Sequence, residues 1–96
     1  MTVELSGEAE ADLTGILVYT LNEFGPSQLE KYFKVIKEGL HFISKFPNSG
    51  HIRRDIPYSL VAYPVGEHLL IYKVVNKTLI LVIRILHSRM DFSNKT

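Results

Sequence analysis

The segment RILHSRMD, residues 84–91, places two arginines, a histidine and an aspartate within eight positions near the end of the sequence. Histidine can take or give a proton near neutral pH, and arginine binds phosphate or carboxylate groups through its planar set of N–H donors. The segment follows a run of β-forming residues. Three interpretations are therefore open: a catalytic cluster, a docking surface, or the polar end of a buried strand.

Composition indicates one small globular domain. The chain has 96 residues, of which 46% are hydrophobic and 22% are charged. This length supports a single core, so we expect one domain over residues 1–96. There is no cysteine, which excludes disulfides and thiolate metal sites and suits a reducing compartment. No targeting or membrane-spanning pattern is present, and we expect a cytoplasmic protein without a cofactor.

The charge is distributed unevenly along the chain. Residues 1–30 contain six acidic residues and no lysine or arginine, whereas residues 31–96 contain all 11 basic residues and four acidic ones. A basic part of this kind can attract nucleic acid or an acidic protein segment. The lysines of the second predicted helix can equally be a solvated helix surface.

The first half of the chain predicts a strand followed by two helices. TVELS alternates apolar and polar residues, as an edge strand does. Ser6 and the acidic residues after it suit the start of a helix over about 7–23, and Gly25-Pro26 separates this helix from a second one that ends near Phe46. The stripe predicted to face the core in the first helix consists of Ala9, Leu13, Ile16, Leu17, Thr20, Leu21 and Phe24.

The second half is rich in β-formers. LVAYPV, EHLLIYKVV and TLILVIRIL predict three strands, and a two-residue turn at Asn76-Lys77 would place Val75 opposite Thr78. The elements together predict an α+β domain: an N-terminal strand, an antiparallel helix hairpin, and then a three-stranded antiparallel sheet. In this register the helix-facing side would carry His68, Leu70, Tyr72, Val74, Leu79, Leu81, Ile83 and Ile85.

The other side of this predicted hairpin is unusual for a sheet face exposed to water. It would carry Glu67, Leu69, Ile71, Lys73, Ile80, Val82, Arg84 and Leu86. Exposed aliphatic residues beside charges are typical of a protein-binding groove. The alternative is that a loop or the C-terminal tail folds over them.

Three stretches carry a resemblance to a known family. They are FPNSGHIRRDI at 46–56, YPVGEHLLIYKV at 63–74 and VIRILHSRMD at 82–91. With the order of the elements, they resemble the ParE branch of the RelE/ParE superfamily of bacterial type II toxins. The resemblance implies a RelE/ParE-like fold, inhibition of DNA gyrase, and neutralisation by a ParD-like antitoxin in a hetero-oligomer. Direct nucleic-acid binding is not expected, because DNA recognition in such modules comes through the antitoxin.

The resemblance and the predicted faces together lead us to hypothetical roles for residues. An antitoxin segment that orders on binding would lie on the aliphatic face, and acidic side chains would pair with the nearby arginines. The tail would contact the target, so that RILHSRMD combines a strand end with a docking tail. The antitoxin-binding set is Leu69, Ile71, Ile80, Val82, Arg53, Arg54 and Arg84, and the target-binding set is His87, Arg89 and Met90.

The RelE branch supplies the alternative function, a ribosome-dependent mRNA endoribonuclease. Cleavage through the RNA 2′-hydroxyl needs a base, an acid and cations around the phosphate. His87 would be base or acid, with Arg53, Arg54, Arg84 and Arg89 as phosphate clamps. The Leu-His-x-x-Met-Asp ending is similar to that of the non-nuclease branch, so we expect no catalytic residues. A third interpretation is an inactive paralogue that binds antitoxin without toxicity.

Overall fold

A computed structural model of the chain describes residues 1–89 and shows helices packed on one side of a four-stranded sheet. Strand β1 lies at one edge, parallel to β4, and the remaining neighbours are antiparallel, in the order β1-β4-β3-β2. The α+β prediction is confirmed, with the N-terminal strand joining the sheet as a fourth strand. The elements are β1 (Thr2–Leu5), α1 (Gly7–Phe24), α2 (Pro26–Lys45), a 3-10 turn (Pro47–Ser49), β2 (Val61–Val65), β3 (His68–Val74) and β4 (Leu79–His87).

Ser6 joins the start of α1 to the sheet. Its hydroxyl accepts a hydrogen bond from the Ala9 backbone N–H at 3.0 Å and donates one to the Ile83 carbonyl at 2.7 Å. The predicted N-cap is therefore confirmed, and it also holds α1 against β4. At the other end, Gly25 has a φ of 89°, which favours glycine, and Pro26 starts α2 directly.

The main core lies between the helices and the sheet. Tyr72 is fully buried in it, and its hydroxyl donates to the Pro47 carbonyl at 2.8 Å and accepts from the Gly50 N–H at 3.0 Å. The phenol is thus satisfied and holds the turn after α2 against the sheet. The buried members of this core are Ala9, Ile36, Ile43, Val65, Leu70, Tyr72, Ile80, Val82 and Ile85.

A second apolar cluster lies on the opposite face of the sheet. It contains Ile56, Leu60, Ala62, Leu69, Ile71 and Leu86. Ile56 and Leu60 come from the connection between the 3-10 turn and β2, so the chain covers this face with its own loop. The prediction of an open aliphatic face is wrong, because Leu69 and Ile71 are buried beneath that loop.

The β3–β4 register also differs from the prediction. Val74 pairs with Ile80 rather than Leu79, because the Asn76 side-chain oxygen accepts the Thr78 N–H at 2.8 Å and the turn is longer than two residues. A shift of one residue exchanges the two faces of a strand. Ile80 and Val82 therefore lie fully buried in the main core, and their predicted antitoxin-facing position is wrong.

A β-bulge shifts the register by a further residue. Tyr72 pairs with Val82, but Ile71 pairs with Arg84. This second shift restores the predicted sides for the end of the strand: Ile85 packs in the main core and Leu86 on the opposite face. Ile83, predicted on the helix-facing side, packs against the opposite cluster.

Close packing of α2 on β2 gives a direct test of the fold. A Cβ atom on Gly39 would overlap Val65 Cγ1, whereas one on Gly15 of α1 would meet nothing within 4 Å. We expect Gly39→Ala to lower the free energy of unfolding by about 1–3 kcal/mol through overpacking. The control Gly15→Ala should raise it by about 0.5–1 kcal/mol through helix propensity. Urea unfolding measures both, and a Gly39→Ala variant as stable as Gly15→Ala would contradict this packing.

Candidate functional site

A groove of about 840 Å³ runs between the second half of α1, the first turns of α2 and the ends of β3 and β4. It brings together residues that are far apart in the sequence. The side chains that define it are Tyr19, Phe24, Tyr32, His68, His87 and Arg89. We call it the α1–β4 groove.

One carboxylate fixes the strand that leads into the groove. Asp12 of α1 accepts hydrogen bonds from Arg84 Nε at 2.7 Å and Arg84 Nη2 at 2.9 Å, and from the backbone N–H of Ile85 at 2.9 Å. The bidentate contact raises the pKa of Arg84. Asp12 therefore holds β4 immediately after its bulge and directs the following residues towards the groove.

His87 organises the turn after β4. Its Nδ1 accepts a hydrogen bond from the Arg89 N–H at 3.1 Å, and its Nε2 lies 4.0 Å from a carboxylate oxygen of Glu67. The Ser88 N–H donates to the Glu67 carbonyl at 2.8 Å. The backbone leading to Arg89 is thus held by two hydrogen bonds, and the Arg89 side chain is exposed.

His68 and Tyr32 form the floor of the groove. The Tyr32 hydroxyl lies 2.6 Å from His68 Nδ1 and accepts the Glu67 N–H at 2.9 Å. Burial, followed by the nearby His87, lowers the pKa of His68, and burial raises the pKa of Tyr32. A neutral His68 whose Nδ1 accepts a hydrogen bond from the neutral Tyr32 hydroxyl fits both shifts. His68 is thus hydrogen-bonded on the helix-facing side of the sheet, with Tyr32 as its partner.

The predicted site residues do not come together in one place. His87 and Arg89 line the α1–β4 groove together, whereas Arg84 is held by Asp12. Arg53 forms a bidentate ion pair with Asp55 at 2.6 and 2.7 Å in the loop before β2, and Arg54 is exposed in the same loop. Met90, the remaining member of the target-binding set, lies outside the described residues, as does Asp91.

The aromatic wall of the groove was not predicted from the sequence. Leu21 and Phe24 were expected in the core, but Phe24 is 65% exposed and Leu21 41% exposed. Within the described residues, the main core includes Ala9, Leu13 and Ile16 of α1 but none of its later apolar residues. The sequence offered no spacing signal for this pair, since residues five apart do not share a helix face. The two rings meet at the end of α1, 6.4 Å apart.

The described residues show neither a metal-binding cluster nor a membrane-spanning helix. In the part of the chain from residue 1 to residue 89, no group of three histidine or acidic residues is arranged to hold a metal ion. Neither of the two helices there is long and apolar enough to cross a membrane.

Solved structures of toxin–antitoxin systems share this fold. A chain of the chromosomal ParDE TA system from P. aeruginosa superposes with a TM-score of 0.76 and 20% identity, covering 91% of this chain and 95% of that one. A chain of the RelBE2 toxin–antitoxin complex from Mycobacterium tuberculosis gives a TM-score of 0.62 and 21% identity, covering 90% and 95% of the two chains.

Sequence comparison then defines the family. Residues 3–92 match the family described as the ParE toxin of the type II toxin-antitoxin system parDE. Toxin ParE1 of Mycobacterium tuberculosis (strain CDC 1551 / Oshkosh) is 31% identical over 87 residues, covering 91% of this chain and 89% of that protein. Toxin ParE of Escherichia coli is 29% identical over an alignment of 102 residues, covering 95% and 88%. The chain belongs to the ParE toxin family of type II toxin-antitoxin systems.

The environment of His68 predicts a pH dependence of stability. Because the folded-state pKa of His68 is lowered, the unfolded chain binds more protons below about pH 6.5. His68 therefore contributes a loss of stability as the pH falls from 7.5 towards 5.5, by at most about 1.4 kcal/mol per pH unit. Urea titrations at several pH values should show a shallower dependence for His68→Gln.

The matched control for this measurement is His41→Gln, which removes an exposed histidine of α2 outside the groove. It should keep the wild-type dependence. Equal slopes for His68→Gln and wild type would contradict the account of the groove floor.

Proposed function

We propose that this chain is a toxin that inhibits DNA gyrase by binding and is neutralised by a ParD-like antitoxin. The observation that carries the proposal is membership of the ParE family, whose model matches residues 3–92. Gyrase inhibition is the activity that the resemblance to ParE implies, and we propose that the chain acts in the cytoplasm, where gyrase works. The working complex is a hetero-oligomer of toxin and antitoxin.

The geometry supports binding in preference to RNA cleavage. A phosphorane intermediate needs several cations around one phosphate, together with a free base. Arg84 is engaged by Asp12 and Arg53 by Asp55, so two of the four proposed phosphate clamps are already paired with carboxylates. The Nδ1 atom of His87 accepts the Arg89 N–H. Of the proposed nuclease set, His87 and Arg89 line the α1–β4 groove. His87 also shares an adjacent cavity of about 310 Å³ with Arg84, but that cavity contains Asp12, which already binds the guanidinium.

Parallel activity assays test this proposal. We expect induction of the chain to arrest bacterial growth, and the purified chain to inhibit ATP-dependent supercoiling of relaxed plasmid by gyrase. mRNA should stay intact in a ribosome-dependent cleavage assay, and the antitoxin should restore supercoiling. Cleaved mRNA with normal supercoiling would establish the nuclease alternative instead. Antitoxin binding without growth arrest would indicate an inactive paralogue.

The structure changes the surface that we assign to the antitoxin. Leu69 and Ile71 lie beneath the loop before β2, so the antitoxin is proposed to contact the outside of that loop. Ile52 and Tyr58 expose 66% and 87% of their surface there, and Arg54 is exposed beside them. An acidic antitoxin segment with apolar residues complements this surface.

A charge reversal tests the assigned surface. Arg54→Glu should weaken binding of a neutralising ParD-like antitoxin about tenfold or more, because an attractive charge pair becomes repulsive. Isothermal titration calorimetry measures the affinity. The control Lys31→Glu reverses an exposed charge on α2 and should bind as wild type does. Equal weakening by the two variants would show a long-range charge effect and contradict a contact at Arg54.

A further inference from the structure

We propose that the α1–β4 groove is the docking site for gyrase and receives a short segment that presents an apolar side chain beside a carboxylate. This inference rests on the proposed function and adds the place and the chemistry of the contact. Its two halves come from different elements: an aromatic wall from α1 and a cationic rim from the turn after β4.

The aromatic wall is formed by Tyr19 and Phe24. The two side chains expose 61% and 65% of their surface and contact each other edge to face, with ring centres 6.4 Å apart. Two adjacent large aromatic side chains exposed beside a groove form the kind of patch on which protein interfaces concentrate their binding energy. The wall therefore fits an apolar anchor residue of a partner.

The rim opposite is cationic. Arg89 is exposed and forms no ion pair with residues 1–89, whereas Arg84 is already neutralised by Asp12. His87 holds the Arg89 backbone through its Nδ1 atom, which fixes where the guanidinium starts. Arginine binds carboxylates through two parallel N–H donors. A carboxylate close to the apolar anchor would satisfy this rim.

Charge argues against a nucleic acid in the groove. The part of α1 that lines the groove has no lysine or arginine, and Glu23 lies next to Phe24 at its end. Glu67, whose side chain is 71% exposed, lies on the groove lining. A polyanionic backbone gains affinity by being neutralised along its length, and these carboxylates would repel it. A protein segment with a single carboxylate needs only one cationic contact, which Arg89 provides, and leaves Glu67 to solvent.

The size of the groove argues for a short segment. A volume of about 840 Å³ holds a few side chains, as small-ligand pockets do. An antitoxin that orders on binding covers a much larger surface. The exposed loop around Arg54 is available for that separate contact. The groove is thus assigned to the target rather than to the antitoxin.

The test uses the full chain, purified gyrase and relaxed plasmid. Phe24→Ala and Arg89→Glu should each raise the concentration of chain needed for half-inhibition of supercoiling at least tenfold. Both positions are exposed, so the fold should be kept, which circular dichroism and urea unfolding check. The matched control is Phe46→Ala, an aromatic residue 55% exposed after α2 that does not line the groove, and it should inhibit as wild type does.

The possible outcomes separate this inference from the proposed function. A wild-type chain that leaves supercoiling unchanged would overturn both. Full inhibition by wild type and by both groove variants would overturn the docking site alone. Variants that inhibit gyrase normally but lose antitoxin affinity would assign the groove to the antitoxin. Two further measurements test other occupants of the groove. Size-exclusion chromatography with light scattering detects a dimer, and a titration with RNA detects RNA binding. If the variants lost either property while still inhibiting gyrase, the inference would also be overturned.

Discussion

The structure depends on one carboxylate that connects the helix layer to the sheet. Asp12 accepts two hydrogen bonds from the Arg84 guanidinium and one from the Ile85 backbone N–H, so a single side chain of α1 binds both the side chain and the main chain of β4. The Asp12 and Arg84 side chains are only 16% and 18% exposed. Loss of one partner would leave the other charge in a poorly hydrated position, which is costly.

This contact determines the path of the chain at the end of β4. The bulge before Arg84 changes the register, and Asp12 holds the chain immediately after it. His87 and Arg89 then reach the groove, where Tyr32 and His68 complete the floor. The same contact occupies the Arg84 guanidinium with a carboxylate, so Arg84 does not act as a phosphate-binding cation. The interaction that orders the strand end therefore also leaves Arg89 as the exposed cation of the groove.

Local patterns in the sequence were sufficient to predict the order of elements. Ser6, Gly25-Pro26 and the alternating β-rich segments each act within a few residues, and the α+β arrangement followed from them. The register could not be predicted in this way, since it depends on the Asn76 side chain in the turn and on the bulge opposite Ile71. The loop over Leu69 was an open alternative, because the sequence contains no signal of which segment covers a sheet face. His87 and Arg89 both belong to the segment RILHSRMD, so the sequence could indicate them together. Tyr19 and Tyr32 come next to them only through tertiary packing.

Amide hydrogen exchange by NMR, comparing wild type with Asp12→Ala, tests most directly whether Asp12 organises the end of β4. Exchange should accelerate at the Ile85 and Arg89 amides of the variant, while the Leu70 amide in the β3 part of the core keeps its protection. Unchanged exchange at both Ile85 and Arg89 in a folded Asp12→Ala variant would contradict the account.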